Sequence, residues 1–467
     1  METTKAKKIT QSLTFKGFII AVLVLLLLIP QAMISDLIHE RKYRSQKTIE
    51  KINEKWSNAQ IVCGPILSIP YQIKKTETEY IETKDNKNEK REKIVYENHT
   101  LNITPEQLDI RAQLMPEEKY YGIYKTILYK STLNIRGNFK NFSDEDTTKY
   151  NFQWDKAYIT LGLSDLKGVS DKVDFKFSNY ALSVEAGGNI FKTDDNDYYT
   201  SKYNENQLIM AVPELKMSHE NESMSFQCNM SLNGSESISF IPLGKITQVN
   251  VEGAWKTPSF IGNFSPESKI GDSFNASWNI LHFNRNIPEA WSDKISNRPF
   301  YESYFGVNLI NAVDHYQQNE RSSKYSIMFI LLTFVVFFFV EALTKRKIHP
   351  LQYLLVGLAL ILFYSLLLSI SEQLNFAMAY IIASIATIGL ISAYTHSIFK
   401  NKTRTAMLSS LLCGLYIFLF VILQLEDIAL LIGSVGLFII LGVIMFVSRK
   451  INFYKQDEES LTIDNVP

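Results

Sequence analysis

Cysteine is scarce in this chain: Cys63, Cys228 and Cys413 are the three present in 467 residues. That excludes a disulfide-stapled framework and any site built on paired CxxC motifs. Cys413 falls in an apolar run, so Cys63 and Cys228 alone are left to pair in an exported domain. Two small buried side chains is the preferred reading, because spacing does not set Cα proximity. Net charge is absent too, with 48 basic side chains against 48 acidic ones. No global pull toward nucleic acid or acidic partners follows. HExxH and GxSxG are missing, and Leu243-Gly244-Lys245 lacks the earlier glycine of a phosphate loop. Seven histidines, His39 to His396, are scattered with no i,i+4 pair. No metal ligands, no cofactor and no catalytic residues are therefore read, and the chain is not read as an enzyme.

What is present is apolar sequence in long runs. They cover 15–34, 325–343, 351–370, 376–398, 406–424 and 428–447. A helix rises about 1.5 Å per residue, so each run matches a hydrocarbon core of about 30 Å. The first follows a basic start, Lys5 to Lys16, and no small-x-small cleavage site comes after it; it reads as an uncleaved anchor. With residues 1–14 placed in the cytoplasm, Lys345-Arg346-Lys347, Lys400–Arg404 and Arg449-Lys450 in the tail 448–467 fall on the same side. Glu372 and Glu426-Asp427 fall on the other. Agreement among the basic clusters is what orients a membrane protein.

Between the first and second runs the chain is polar. Residues 35–58, rich in helix formers and charge, predict a juxtamembrane helix. Over 59–304 the period changes to two. Val173, Phe175 and Phe177 alternate with Lys172, Asp174 and Lys176; Phe226, Cys228, Met230 and Leu232 alternate with Gln, Asn and Ser. This marks strands with one wet face. Gly64-Pro65, Gly187-Gly188, Asn233-Gly234 and Pro242 read as turns, Asn233-Gly234 as a hairpin turn, and Lys84–Lys93 as an exposed loop. Residues 305–324 predict a pre-membrane helix. The fold class is α + β membrane protein: six transmembrane helices, one N-terminal and five C-terminal, with a large, mostly antiparallel β domain of one or two sandwich-like units inserted after the first.

Polar residues of the membrane half are the candidate functional set. Glu341, near the basic end of its helix, is expected to pair with Lys345 or Arg346; a proton or ion relay is the functional alternative. His349-Pro350 reads as a helix start. Gln352, Tyr353 and Tyr364 are candidates to line a polar interior, or to hydrogen-bond between helices. Glu320, beside Arg321, joins Glu372, Glu426 and Asp427 in an outward acidic rim, read first as a solvated face.

At these residues the chain resembles the CreD family. Ile348-His349-Pro350 with Gln352-Tyr353-Leu354-Leu355-Val356-Gly357-Leu358-Ala359 carries the resemblance most specifically. Trp255, Pro258-Ser259-Phe260, Gly262, Phe264 and Pro266 are similar to the family's W-x-x-P-S-F-x-G-x-F-x-P element, with Thr257 and Ser265 departing from expectation. Gly64-Pro65 and Leu425-Glu426-Asp427 agree as well. The resemblance implies a multi-pass protein of the Gram-negative inner membrane, both termini cytoplasmic and the β domain periplasmic, serving envelope integrity and stress response. Its implied partners are the lipid bilayer and other envelope proteins or a cell-wall component. It brings no catalytic residues. Two roles follow as expectations: a β domain that binds an envelope component above helices that anchor or transmit, or a solute or ion transporter through the helices near Glu341, Gln352 and Tyr364. An enzyme acting on a lipid or wall precursor has less support.

Overall fold

The computed structural model describes residues 13–82, 88–140, 151–178, 180–187, 207–211, 224–296, 298–309, 315–344, 348–425 and 429–449. They form two compact units, Lys47–Ala312 and a second made of Met1–Gln46 with Val313–Pro467.

The first unit is built on strands β1 (Gln60–Glu82), β2 (Asn88–Ile103), β3 (Gln107–Tyr121), β4 (Tyr124–Asn138), β5 (Asn151–Phe152) and β6 (Tyr158–Leu163). Next come β7 (Asp174–Phe177), β8 (Tyr180–Leu182), β9 (Val184–Ala186), β10 (Gln207–Ala211), β11 (Ser225–Ser235) and β12 (Ser237–Phe240). The last are β13 (Ile246–Gly253), β14 (Ser259–Gly262), β15 (Glu267–Ile270), β16 (Phe274–Leu281), β17 (Ala290–Ser292) and β18 (Phe305–Asn308). They make two sheets. One is eight-stranded, in the order β15-β16-β13-β3-β4-β11-β7-β8; the other is ten-stranded, with the path β14-β18-β12-β1-β6-β10-β9. One buried cluster draws on both, with Ile66, Leu67, Ile159 and Phe240 from the larger sheet and Ile110, Leu133, Cys228 and Val251 from the smaller. Two inner faces sharing a core is sandwich packing. Among the described residues pairing is antiparallel except for β1 with β12 and β13 with β3.

Four expectations change here. Asn233-Gly234 is no hairpin turn: both lie inside β11, opposite Lys130 and Tyr129 of β4. The glycine is needed because a Cβ at 234 would run into the Tyr129 ring. The chain turns instead at Glu236 (φ 62°) and crosses to the other sheet as β12. Gly64-Pro65 sits within β1, at the irregularity between Cys63 and Ile66. Within the stretch Lys84–Lys93, Asn88–Lys93 is strand, paired with Glu77–Glu82 in a long hairpin, with Glu77 opposite Lys93. Opposite charges across a rung favour such pairing. Finally, Phe305–Asn308 is not helical. It is β18, hydrogen-bonded to β12 on one side and β14 on the other. Cys63 and Cys228 are buried and free; burial pushes both thiols up to about 12.

The helical unit opens with the apolar part of α1 (Leu13–Trp56), a helix that also runs without a break through the segment expected as a separate juxtamembrane helix. After the short α2 (Arg298–Tyr301) in the β unit come α3 (His315–Lys324), α4 (Ser326–Thr344), α5 (Pro350–Ser371), α6 (Phe376–Phe399), α7 (Lys402–Gln424) and α8 (Ala429–Ser448). Side-chain caps fix their starts. Asn375 accepts from Met378 N–H, and Asn401 from Thr403 and Arg404 N–H, satisfying amides that a helix leaves unpaired. Six spans were expected. Among the described residues α1, α5, α6 and α7 are long and apolar enough to cross a membrane, and α3 with α4, bent by 44°, makes a fifth if counted as one span. The apolar stretch of α8, Leu431–Phe446, is shorter. Aromatic rings fill the interior: Phe363 meets Tyr364, Tyr380 and Tyr416 edge-on. Gly357 of α5 lets α1 come close, since a Cβ there would run into Leu27 and Phe334. Leucines and isoleucines such as Leu362 and Ile385 point outward, as a lipid-facing surface requires.

Candidate functional site

The polar residues singled out in the helical unit fall into two clusters. Glu341, near the end of α4, is buried. Its carboxylate accepts from the Tyr353 hydroxyl at 3.0 Å and from Ile348 N–H at 3.0 Å, and it pairs with the Lys16 ammonium. The expected partners Lys345 and Arg346 lie outside the described residues. Within the described residues α1 brings a cation and α5 a hydroxyl to the carboxylate. A buried charge with a counter-ion and two further donors is a clamp between elements. His349 caps α5, Nδ1 accepting from Leu351 N–H at 3.3 Å, while Gln352 Oε1 accepts from His349 N–H at 3.0 Å. Gln352 is thus engaged at a helix start. Tyr364 is buried among aromatic rings.

The second cluster holds Glu320 and Glu372. Glu320 lies 3.0 Å from Lys42 and 3.0 Å from Lys324, with His39 at 3.8 Å. Glu372 accepts from the Tyr316 hydroxyl at 3.2 Å and lies 3.9 Å from Arg41. Consecutive bases of α1 thus neutralise both acids, so these two do not form a bare acidic rim. Arg321 is half-buried on α3; Glu426 and Asp427 lie outside the described residues. Nearby, Gln31 Nε2 donates to Ser323 Oγ at 2.9 Å, and Asn319 Nδ2 to Ser371 Oγ at 2.8 Å. Gln31 Oε1, Asn319 Oδ1 and the hydroxyls of Ser322, Ser326 and Thr333 are buried with no described partner.

The larger feature was not singled out in the sequence. The outer face of the eight-stranded sheet carries polar side chains in register across its central strands. One row reads Asn279, Gln248, Asp109, Arg136, Gln227, Lys176. The next reads Ser277, Asn250, Arg111, Asn134, Asn229, Asp174. A third holds Asn275, Glu252, Gln113, Thr132 and Ser231. The residues between them, such as Val249, Ile110, Ile135 and Cys228, fill the core. Within rows Arg136 donates twice to Asp109 at 3.0 and 2.8 Å and Asn134 to Asn229 at 2.5 Å; between neighbouring rows Asn250 donates to Asn275 at 3.1 Å. Three adjoining hollows of about 1020, 700 and 650 Å³ lie on this face. The first shares Gln113 and Glu252 with the third, and Asp109 and Gln248 with the second. They follow β13, whose eight residues span about 25 Å. The only trace of this face in the sequence was the frequency of Asn and Gln at the wet positions of separate strands.

Apolar helices flank the β-rich unit in sequence, one before it and several after, and this defines a multi-pass membrane protein with a large β-rich insertion. A family model described as Inner membrane protein CreD matches residues 12–454. The chain belongs to the CreD family of inner-membrane proteins. It is similar to Inner membrane protein CreD of Escherichia coli (strain K12), 29% identical over 435 residues, 92% of this chain and 91% of that one.

Proposed function

We propose that the β unit stands on the periplasmic side of the inner membrane and holds a component of the cell envelope on the outer face of its eight-stranded sheet, with the helical unit as anchor. The role is non-catalytic, in envelope integrity and its response to stress. One observation carries it: the in-register polar face with its three adjoining hollows, larger than the helical unit's polar clusters. The K/R bias of the membrane half supports the placement. The test is co-sedimentation of the full chain, in detergent, with isolated Gram-negative envelopes. The wild type is expected to pellet with them, and a variant carrying Asn134→Lys and Asn250→Lys to pellet at least tenfold less. Equal pelleting of both would overturn the reading.

A second reading, passage of a small solute or ion through the helices, rests on the buried, unpaired oxygens of Gln31, Asn319, Ser322, Ser326 and Thr333. Such groups are costly in hydrocarbon unless water or an ion meets them. It predicts solute flux in proteoliposomes that falls with Ser326→Ala and Thr333→Val; unchanged flux in both would remove it.

A further inference from the structure

We infer that the groove takes a neutral, extended glycan chain. This names the ligand class for the envelope-binding reading above and rests on it. Shape comes first. Three hollows in line along the strands, about 25 Å in all, suit a polymer lying lengthwise better than one compact molecule.

Charge comes second. In the three rows Asp109, Asp174 and Glu252 are matched by Arg111, Arg136 and Lys176, and Arg136 is bonded to Asp109. A balanced face has no net field to gather a polyanion or a polycation. The remaining groups are mostly primary amides. Each amide offers donors and an acceptor together, as does each sugar hydroxyl, so a row of Asn and Gln meets a row of hydroxyls without leaving either unpaired.

Propensity comes third. A solvated strand face needs only polarity, and Thr serves it well; Asn is disfavoured in strands. Yet Asn250, Asn134 and Asn229 occupy one row on three strands. The aromatic residues along the groove, Trp278, Phe226 and Phe274, are turned into the core. Affinity must then come from many hydrogen bonds along the chain, and it will grow with ligand length.

The test is calorimetric titration of the full chain in detergent with neutral β-1,4-linked N-acetylglucosamine oligomers of increasing length. Affinity should rise with length until the oligomer spans the groove. It should fall at least tenfold in the double variant Gln113→Glu, Gln248→Glu, whose exposed positions leave the core intact; an unchanged Tm checks this. Envelope co-sedimentation is run beside it. Pelleting without oligomer binding would overturn the glycan assignment and leave the envelope reading standing, as would binding of an extended neutral peptide in the oligomer's place. Failure of both assays would overturn both. Binding that ignores length, or survives the double variant, would also overturn the assignment.

Discussion

Glu236 shows how a single side chain can be set against the fold that holds it. It makes the crossing from β11 to β12 with φ 62°, its N–H bonded to Ile127 O and its carboxylate accepting from Asn53 Nδ2 at 3.0 Å. Burial raises its pKa above the ordinary value, the Asn53 bond lowers it, and Glu50 adds to the rise. The folded state therefore holds this proton more tightly than the unfolded chain. Its contribution to stability is present at low pH and is lost as pH rises through the folded pKa. Glu236→Gln keeps the acceptor and removes the charge. It should raise Tm at pH 7 and lose that advantage near pH 4, as followed by thermal unfolding across that range. Glu341 is an ion-pair case, its carboxylate set against the Lys16 ammonium. Removing one partner of a buried pair costs about 3–5 kcal/mol, whereas replacing both with apolar groups is often far milder. Lys16→Met and Glu341→Met should each lower Tm in detergent, and the double variant should recover part of the loss. Additive losses would mean the two do not act as a pair. Glu341, the charge that stands out in its apolar run, is met by Lys16 of α1 and Tyr353 of α5. Rarity marks that a group must be partnered; it does not say whether the partner is a ligand or a neighbouring helix.

At the scale of elements, β18 is the instructive case. Val307, Ile310, Val313 and Tyr316 fit a helical period, which predicts a helix. Two non-local neighbours decide otherwise, for β12 and β14 supply backbone partners on both sides. Gly306 sits where a Cβ would press on the backbone at Ile238 and Ser239. Gly306→Ala should therefore destabilise the β unit by about 1–3 kcal/mol, visible as faster proteolysis of residues 47–312 at fixed temperature; wild-type resistance would contradict this packing. Local alternation is enough to find β7 and β11, because burial of one face repeats every second residue. It was not enough to find the crossing at Glu236 or the parallel pairing of β13 with β3. Those depend on which strands meet, and no window of sequence contains both partners.

For the whole molecule, the membrane character and the family are legible because they rest on long apolar runs and on the HPLQYLLVGLAL run, in which Gly357 receives Leu27. The candidate groove is not legible, since Gln248, Asp109 and Arg136 become one row only after three strands are placed side by side. The outer face of the eight-stranded sheet is the proposed working surface of the protein. The most direct measurement places a photoreactive amino acid at Asn250, and in a second variant at the exposed Lys75 of the β1–β2 hairpin, then irradiates intact bacterial cells. The account predicts adducts bearing carbohydrate from Asn250 and none from Lys75. No adduct from Asn250, or the same adducts from both positions, would contradict it.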